Sequence, residues 1–188
     1  AGAAEGRYFI RLDQGQEVHQ PIDATGDNLP GGTTDDQVYY VRAMIRGATS
    51  GAVAQINADF EGQQLYNRAN AVSRSFPVST SWQPCTTTFT APDGSWKTFL
   101  ILKAGTGTVE FDDVRMSNRP FVMVSTPAPS TFRLSWRSSP DATYQIQVTE
   151  NLSNWNVLDT IIGNGSVLND DTDTSGRTRR FFRLQTLE

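Results

Sequence analysis

Alternation of apolar and polar residues with period two recurs along this chain, and helical periodicity hardly appears, which confines it to β architectures. Gln37–Arg46 is the clearest case, with Tyr39, Val41, Ala43 and Ile45 on one face and Tyr40, Arg42, Met44 and Arg46 on the other. The next stretch repeats the pattern, setting Ala54, Ile56, Ala58 and Phe60 against Gln55, Asn57, Asp59 and Glu61. Further strands are expected at Arg7–Leu12, Glu17–Ile22, Gln64–Arg68, Val72–Phe76, Cys85–Thr90, Lys97–Lys103 and Thr108–Met116. Gly, Pro, Asn or Ser clusters punctuate most of them, and no helix intervenes. Short strands at that spacing read as an antiparallel sandwich. The stretch Asp23–Asp36 is built of turn formers, and its length makes it a candidate binding loop.

The rhythm resets near Ser117-Asn118-Arg119-Pro120, and Thr126-Pro-Ala-Pro-Ser130 follows closely. A boundary at about residue 118 therefore divides the chain into residues 1–118 and 119–188. The second unit has its own series: Phe121–Ser125, Thr131–Trp136, Thr143–Thr149, Trp155–Ile162, a short piece at Ser166–Leu168, and Arg180–Gln185. Asp170-Asp-Thr-Asp173 lacks the Gly and distal Glu of an EF-hand and reads as a turn before the last strand.

Composition narrows the chemistry. With Cys85 the only Cys and His19 the only His, the chain supplies neither a four-ligand zinc site nor an internal disulfide. His19 sits in a short alternating run, where a satisfied strand histidine is the expected role rather than a catalytic one. The net charge of −4 argues against a broad basic face for nucleic acid. No apolar run approaches the ~20 residues needed to cross a bilayer. Nearly all the positive charge is arginine, Lys97 and Lys103 being the only lysines, and the guanidinium fork suits carboxylate, sulfate and sugar hydroxyls. Ala1-Gly2-Ala3-Ala4-Glu5 lacks the features of an export signal, so a signal is expected to have been removed or the segment cut from a longer precursor.

Gly6-Arg-Tyr-Phe-Ile-Arg-Leu12, Val18-His-Gln-Pro-Ile22, Tyr39-Tyr-Val-Arg-Ala-Met-Ile-Arg46, Ser81-Trp-Gln-Pro-Cys-Thr-Thr-Thr-Phe89 and Val109-Glu-Phe-Asp-Asp-Val-Arg-Met116 occur in the order of a known pattern. In these pieces residues 1–118 resemble a carbohydrate-binding module of the family 4/9/22 type. Such modules are jelly-roll sandwiches appended to secreted polysaccharide-degrading enzymes. They usually open with an Asn-Gly-x-Phe-Glu type strand that is missing here, so the resemblance implies either that the segment was removed or that an upstream segment or a neighbouring chain supplies it. Leu134-Ser-Trp136, Thr143–Thr149, Leu152-Ser-Asn-Trp155 and Arg179–Leu184 resemble the fibronectin-type-III-like or immunoglobulin-like C-terminal modules of secreted bacterial proteins. The expected fold is thus all-β, a jelly-roll sandwich followed by a smaller β-sandwich domain.

The implied function is non-catalytic polysaccharide binding by an accessory region of a secreted, extracellular protein, such as a carbohydrate-active enzyme. The rival reading is a surface-layer, filament or matrix subunit that uses its faces for subunit contacts. In the resembling family the face carrying Tyr40, Arg42 and Arg46 forms the binding groove, and Gln55, Asn57 and Asp59 on the next strand extend it. The two arginines point to an acidic or sulfated chain. The plainer reading is a solvated sheet with Arg42–Asp59 and Arg46–Asn57 as cross-strand pairs. Trp96, after the turn Asp93-Gly-Ser, and Tyr66, after Glu61-Gly-Gln, are candidate stacking platforms, whereas Trp82 is expected in the core. The resemblance also implies a structural Ca2+ held by Asp112, with the carbonyl of Gly6 as a further ligand. Neighbouring carboxylates alternate across a strand, so Asp113 is expected to point away from Asp112. Nothing distinguishes Asp59, Glu61, Asp35 or Asp36 as a catalytic pair, so no catalytic residue is assigned.

Overall fold

The structure, a computed structural model, describes residues 3–4, 8–23, 37–62, 72–92, 95–175 and 180–187. The expected strand at Gln64–Arg68 and the loop after Asp23 lie outside the described residues, as do Gly6 and Tyr66. The chain divides into two compact units, Ala1–Asn118 and Arg119–Glu188, and no helix occurs among the described residues.

Among the described residues eight strands build the first unit: β1 (Ile10–Leu12), β2 (Glu17–Asp23), β3 (Val38–Gly47), β4 (Val53–Gly62), β5 (Val72–Pro77), β6 (Gln83–Thr90), β7 (Ser95–Thr106) and β8 (Val109–Ser117). They form two four-stranded antiparallel sheets, ordered β1-β8-β3-β6 and β2-β7-β4-β5. The chain changes sheet at every connection but one, β4 to β5. That order is the eight-stranded jelly roll, and this chain itself supplies all eight strands.

The alternation decides which side of each strand is dry. Tyr39, Val41, Ala43 and Ile45 of β3 and Ala54, Ile56, Ala58 and Phe60 of β4 all lie in one core, with Phe89, Leu100, Leu102, Val109 and Phe111. Burial of each large side chain there contributes about 1.5–3 kcal/mol. In β8 the alternation is interrupted. Arg42 pairs with Arg115 but Met44 with Asp112, so β8 carries one extra residue, and Asp113 adopts φ 45°. This bulge shifts the phase of the strand. Phe111 faces the core before it and Val114 and Met116 pack against the core after it, leaving Asp112 and Asp113 together on the outer side. The expectation that the two carboxylates point apart is therefore corrected.

The second unit holds β9 (Val122–Ala128), β10 (Thr131–Arg137), β11 (Thr143–Thr149), β12 (Asn156–Ile162), β13 (Val167–Asp173) and β14 (Phe181–Leu187). Two three-stranded antiparallel sheets result, β13-β10-β9 and β12-β11-β14. Their small core is Leu134, Trp136, Tyr144 and Ile146, closed by Phe132 stacked on Phe182 at 4.7 Å between centroids. Residues 170–173 are not a turn: they pair with β10 throughout, and Arg133 holds Asp171 through two hydrogen bonds at 2.5 and 2.6 Å. The acid-rich stretch hid this strand because its apolar residues are too few to show a period.

The Tyr144 hydroxyl accepts a buried 2.8 Å hydrogen bond from the Ser139 N–H. Close by, a Cβ on Gly163 would stand 2.0 Å from the Ser139 carbonyl oxygen, so only glycine fits there. Tyr144→Phe strands the Ser139 donor, and calorimetry should show the second unit destabilised by about 1–2 kcal/mol.

Candidate functional site on the outer sheet faces

Consecutive strands β3 and β4 belong to different sheets, because the chain crosses the sandwich between Gly47 and Val53 instead of turning back as a hairpin. Their outward residues consequently point away from opposite sides of the jelly roll. Tyr40, Arg42 and Arg46 do not share a face with Gln55, Asn57 and Asp59, and neither the expected combined groove nor the pairs Arg42–Asp59 and Arg46–Asn57 form.

On the β1-β8-β3-β6 face, pairing sets Arg11 and Arg46 on either side of Glu110. Glu110 is 4% exposed, and it takes Arg46 Nε at 2.5 Å and Arg11 Nη1 at 3.3 Å. The Arg46 guanidinium also lies 4.5 Å from the Trp82 ring centroid and 5.5 Å from that of Phe9, and those two rings meet edge to face. Trp82 thus caps the outer face and is not part of the core cluster, contrary to the expectation for it. Arg42 Nη2 stands 3.5 Å from Asp113, which also binds Arg115 Nε. Tyr40 is 4% exposed and offers no stacking surface. The arginines of this face are held by their own acids, a structural use that desolvation of Glu110 requires.

The β2-β7-β4-β5 face is chemically different. Pairing aligns Glu17, Lys103, Gln55 and Ser75 in one row, His19, Ile101, Asn57 and Ser73 in the next, and Pro21, Phe99 and Asp59 in a third. Ile101 and Phe99 stand outside the core cluster, which takes Leu100 and Leu102 instead. Ile101 is only 7% exposed, so the apolar surface on this face is that of exposed Pro21 and half-buried Phe99, flanked by amide, carboxylate and hydroxyl groups. The Asn57 Oδ1 is buried without a hydrogen-bond partner, and Asp59 is 2% exposed. The Gln55 amide reaches Ser75 Oγ at 3.5 Å. Asp23, Gly62 and Ser95 sit at one end of this sheet, where Asp23 and Glu61 both pair with Lys97.

Trp96 lies within β7, not in a turn, and its side chain is outside the described residues. Glu17 binds His19 at 2.8 Å and Lys103 at 3.1 Å, and these two partners hold its carboxyl below the ordinary range. A depressed carboxylate stabilises the fold above its unfolded pKa and loses that contribution as pH falls through the folded one. His19→Gln should therefore move the Glu17 titration upward by NMR, with little change in stability because the pair is exposed.

For the Ca2+ site, the Asp112 Oδ1 accepts the Asp113 N–H at 2.8 Å. Among the described residues no group of three or more His, Cys, Asp or Glu is placed to hold a metal. Burial pushes the Cys85 thiol pKa up, which keeps the thiol protonated and unreactive. No helix among the described residues is long and apolar enough to cross a membrane.

The fold and these two faces define the first unit as a jelly-roll β-sandwich with one internally paired face and one amphipathic face. No protein-family model and no curated protein matches the chain. Among solved structures it is similar to one described as Family 16 Carbohydrate Binding Module-2, at 16% identity over 62% of this chain and 80% of that one, with a TM-score of 0.42. It is also similar to the CBM22-1–GH10 modules of Clostridium thermocellum endo-1,4-β-D-xylanase 10B complexed with xylohexaose, at 13% identity, 58% and 26% coverage and a TM-score of 0.39. The glycoside hydrolase domain of Endo-D from Streptococcus pneumoniae overlaps 99% of this chain and 34% of its own, at 12% identity and a TM-score of 0.34. The jelly-roll assignment rests on the strand order, to which these partial overlaps add nothing.

Proposed function

We propose that the first unit binds polysaccharide without catalysis, across the outward face of the β2-β7-β4-β5 sheet. The observation that carries this reading is the apolar surface of Pro21 and Phe99 bordered by Gln55, Asn57 and Asp59. A pyranose presents a flat C–H face and a rim of hydroxyls, and such a surface meets the first while planar amide and carboxylate groups meet the second. Trp96 follows Ser95 directly in β7, and Tyr66 comes four residues after Gly62 in the stretch joining β4 to β5.

The ligand we infer is a neutral chain. The arginines behind the acidic or sulfated alternative lie on the opposite face and are held by Glu110 and Asp113. The resemblance to family 4/9/22 modules supports an extracellular accessory role beside a carbohydrate-active enzyme. The second unit serves in that reading as a fibronectin-type-III-like spacer. Affinity electrophoresis through gels containing xylan, mixed-linkage β-glucan, mannan or dextran sulfate tests the ligand class. Retardation in a neutral gel is expected, and retardation by dextran sulfate alone would overturn the choice of face.

The resemblance also supports a structural Ca2+ at Asp112. Calorimetry with EDTA should then lower the midpoint of the first unit, and an unchanged midpoint removes the ion from the account.

A further inference from the structure

In the β12-β11-β14 sheet of the second unit, Tyr144 and Ile146 of β11 and Leu184 of β14 turn toward the core. Gln145 and Gln147 of β11 therefore stand on the outward face, with Arg183 and Gln185 beside them on β14. Asp159, the one acid of β12, opposes Ile146 and belongs to the inner side. The outward positions of these three strands thus carry a single charge, Arg183, and no acid. They also leave Val157, Ile162 and Leu187 exposed.

The polar groups of this face form a relay with only one possible polarity. Arg183 can only donate, and its Nε gives a 2.7 Å hydrogen bond to Gln147 Oε1. That orients the Gln147 amide, whose Nε2 then donates to Gln145 Oε1 at 3.0 Å. Both amide oxygens are engaged, so the relay ends in donors: the Gln145 Nε2 and the two Arg183 Nη groups. Trp155, just before β12, reaches past β11 to lie 4.3 Å from the Arg183 guanidinium. Gln147 and Thr149, on the strand between them, are buried although they face outward.

We propose that this face is a further binding site, for a polysaccharide built of uronic acids. The Arg183 Nη pair takes a carboxylate end-on, and the Gln145 amide donates to a hydroxyl oxygen of the chain. The C–H faces of the sugar rings rest on the indole and the exposed aliphatic side chains. A lone cation calls for sparse carboxylates. The dense charge of a sulfated chain would press surplus anions against apolar groups. The site does not depend on the face proposed for neutral chains on the first unit.

Affinity electrophoresis of the full chain through gels containing polygalacturonate tests this. Retardation is expected, and it should fade as salt rises. Gln145→Glu still accepts from Gln147, so the relay stands, but it turns the free donor into an anion. That change and Arg183→Gln should each weaken polygalacturonate binding by about tenfold or more. Neither should move the unfolding midpoint, nor the retardation in neutral gels that reports on the first unit. Absence of retardation by polygalacturonate overturns the proposal, and so does retardation indifferent to both variants. Retardation lost in Phe99→Ala instead would put acidic binding on the first unit. Retardation by dextran sulfate but not by polygalacturonate would show a response to charge density alone, and either result contradicts the assignment.

Discussion

Replacing Arg46 with alanine should destabilise the first unit by about 3 kcal/mol, on the order of a 10 °C fall in Tm, while leaving glycan binding intact. Glu110 is nearly solvent-free and sits between Arg11 and Arg46 in a row across β1, β8 and β3. Arg11 is the weaker partner, at 3.3 Å and largely in water. Removing Arg46 therefore leaves a buried carboxylate with one distant, screened cation, and takes the guanidinium away from the Trp82 face. Because the loss comes from stranding a charge, removing both charges should recover most of it. Arg46→Met with Glu110→Leu is expected within about 1 kcal/mol of the parent, as for other buried pairs replaced by apolar residues. Urea titration of the two single variants and the double variant measures the coupling. Additive losses would show that the ion pair does not hold this face.

The second large effect falls on the other face. Phe99→Ala should weaken binding to a neutral oligosaccharide by about 2 kcal/mol, roughly thirtyfold in Kd, through loss of the apolar platform. Asn57→Ala removes one hydrogen-bonding group and should cost about tenfold. Because both residues point outward, each variant should keep the unfolding midpoint of the parent. Isothermal titration of these two beside Arg42→Ala separates the faces, since Arg42→Ala is expected to bind as the parent does. Equal losses in all three would mean that binding follows fold integrity and not a site on the β2-β7-β4-β5 sheet.

Much of this architecture is legible in the alternation. The apolar faces of β3 and β4 read directly as core, because their partner positions carry polar residues and leave one orientation possible. The partnership of strands was not legible: neighbours in sequence suggest a hairpin, and only the crossing between Gly47 and Val53 sends Gln55, Asn57 and Asp59 to the far side of the sandwich from Arg42 and Arg46. Phe99 and Ile101 were missed for a related reason. β7 reads Phe-Leu-Ile-Leu over residues 99–102, apolar at both parities, and period two cannot say which parity faces water. The bulge at Asp113 left no sequence signal beyond the doubled acid, a residue type that tolerates positive φ.

The most direct measurement is amide NMR of the full chain titrated with an oligosaccharide of whichever neutral polysaccharide retards it. Shift changes should gather on the outward positions of β2, β4 and β7, at Pro21-flanking amides, Gln55, Asn57, Phe99 and Ile101, and leave Arg42, Thr86 and Arg115 unmoved. Changes concentrated on the β1-β8-β3-β6 face, around Arg42, Arg46 and Trp82, would contradict the account.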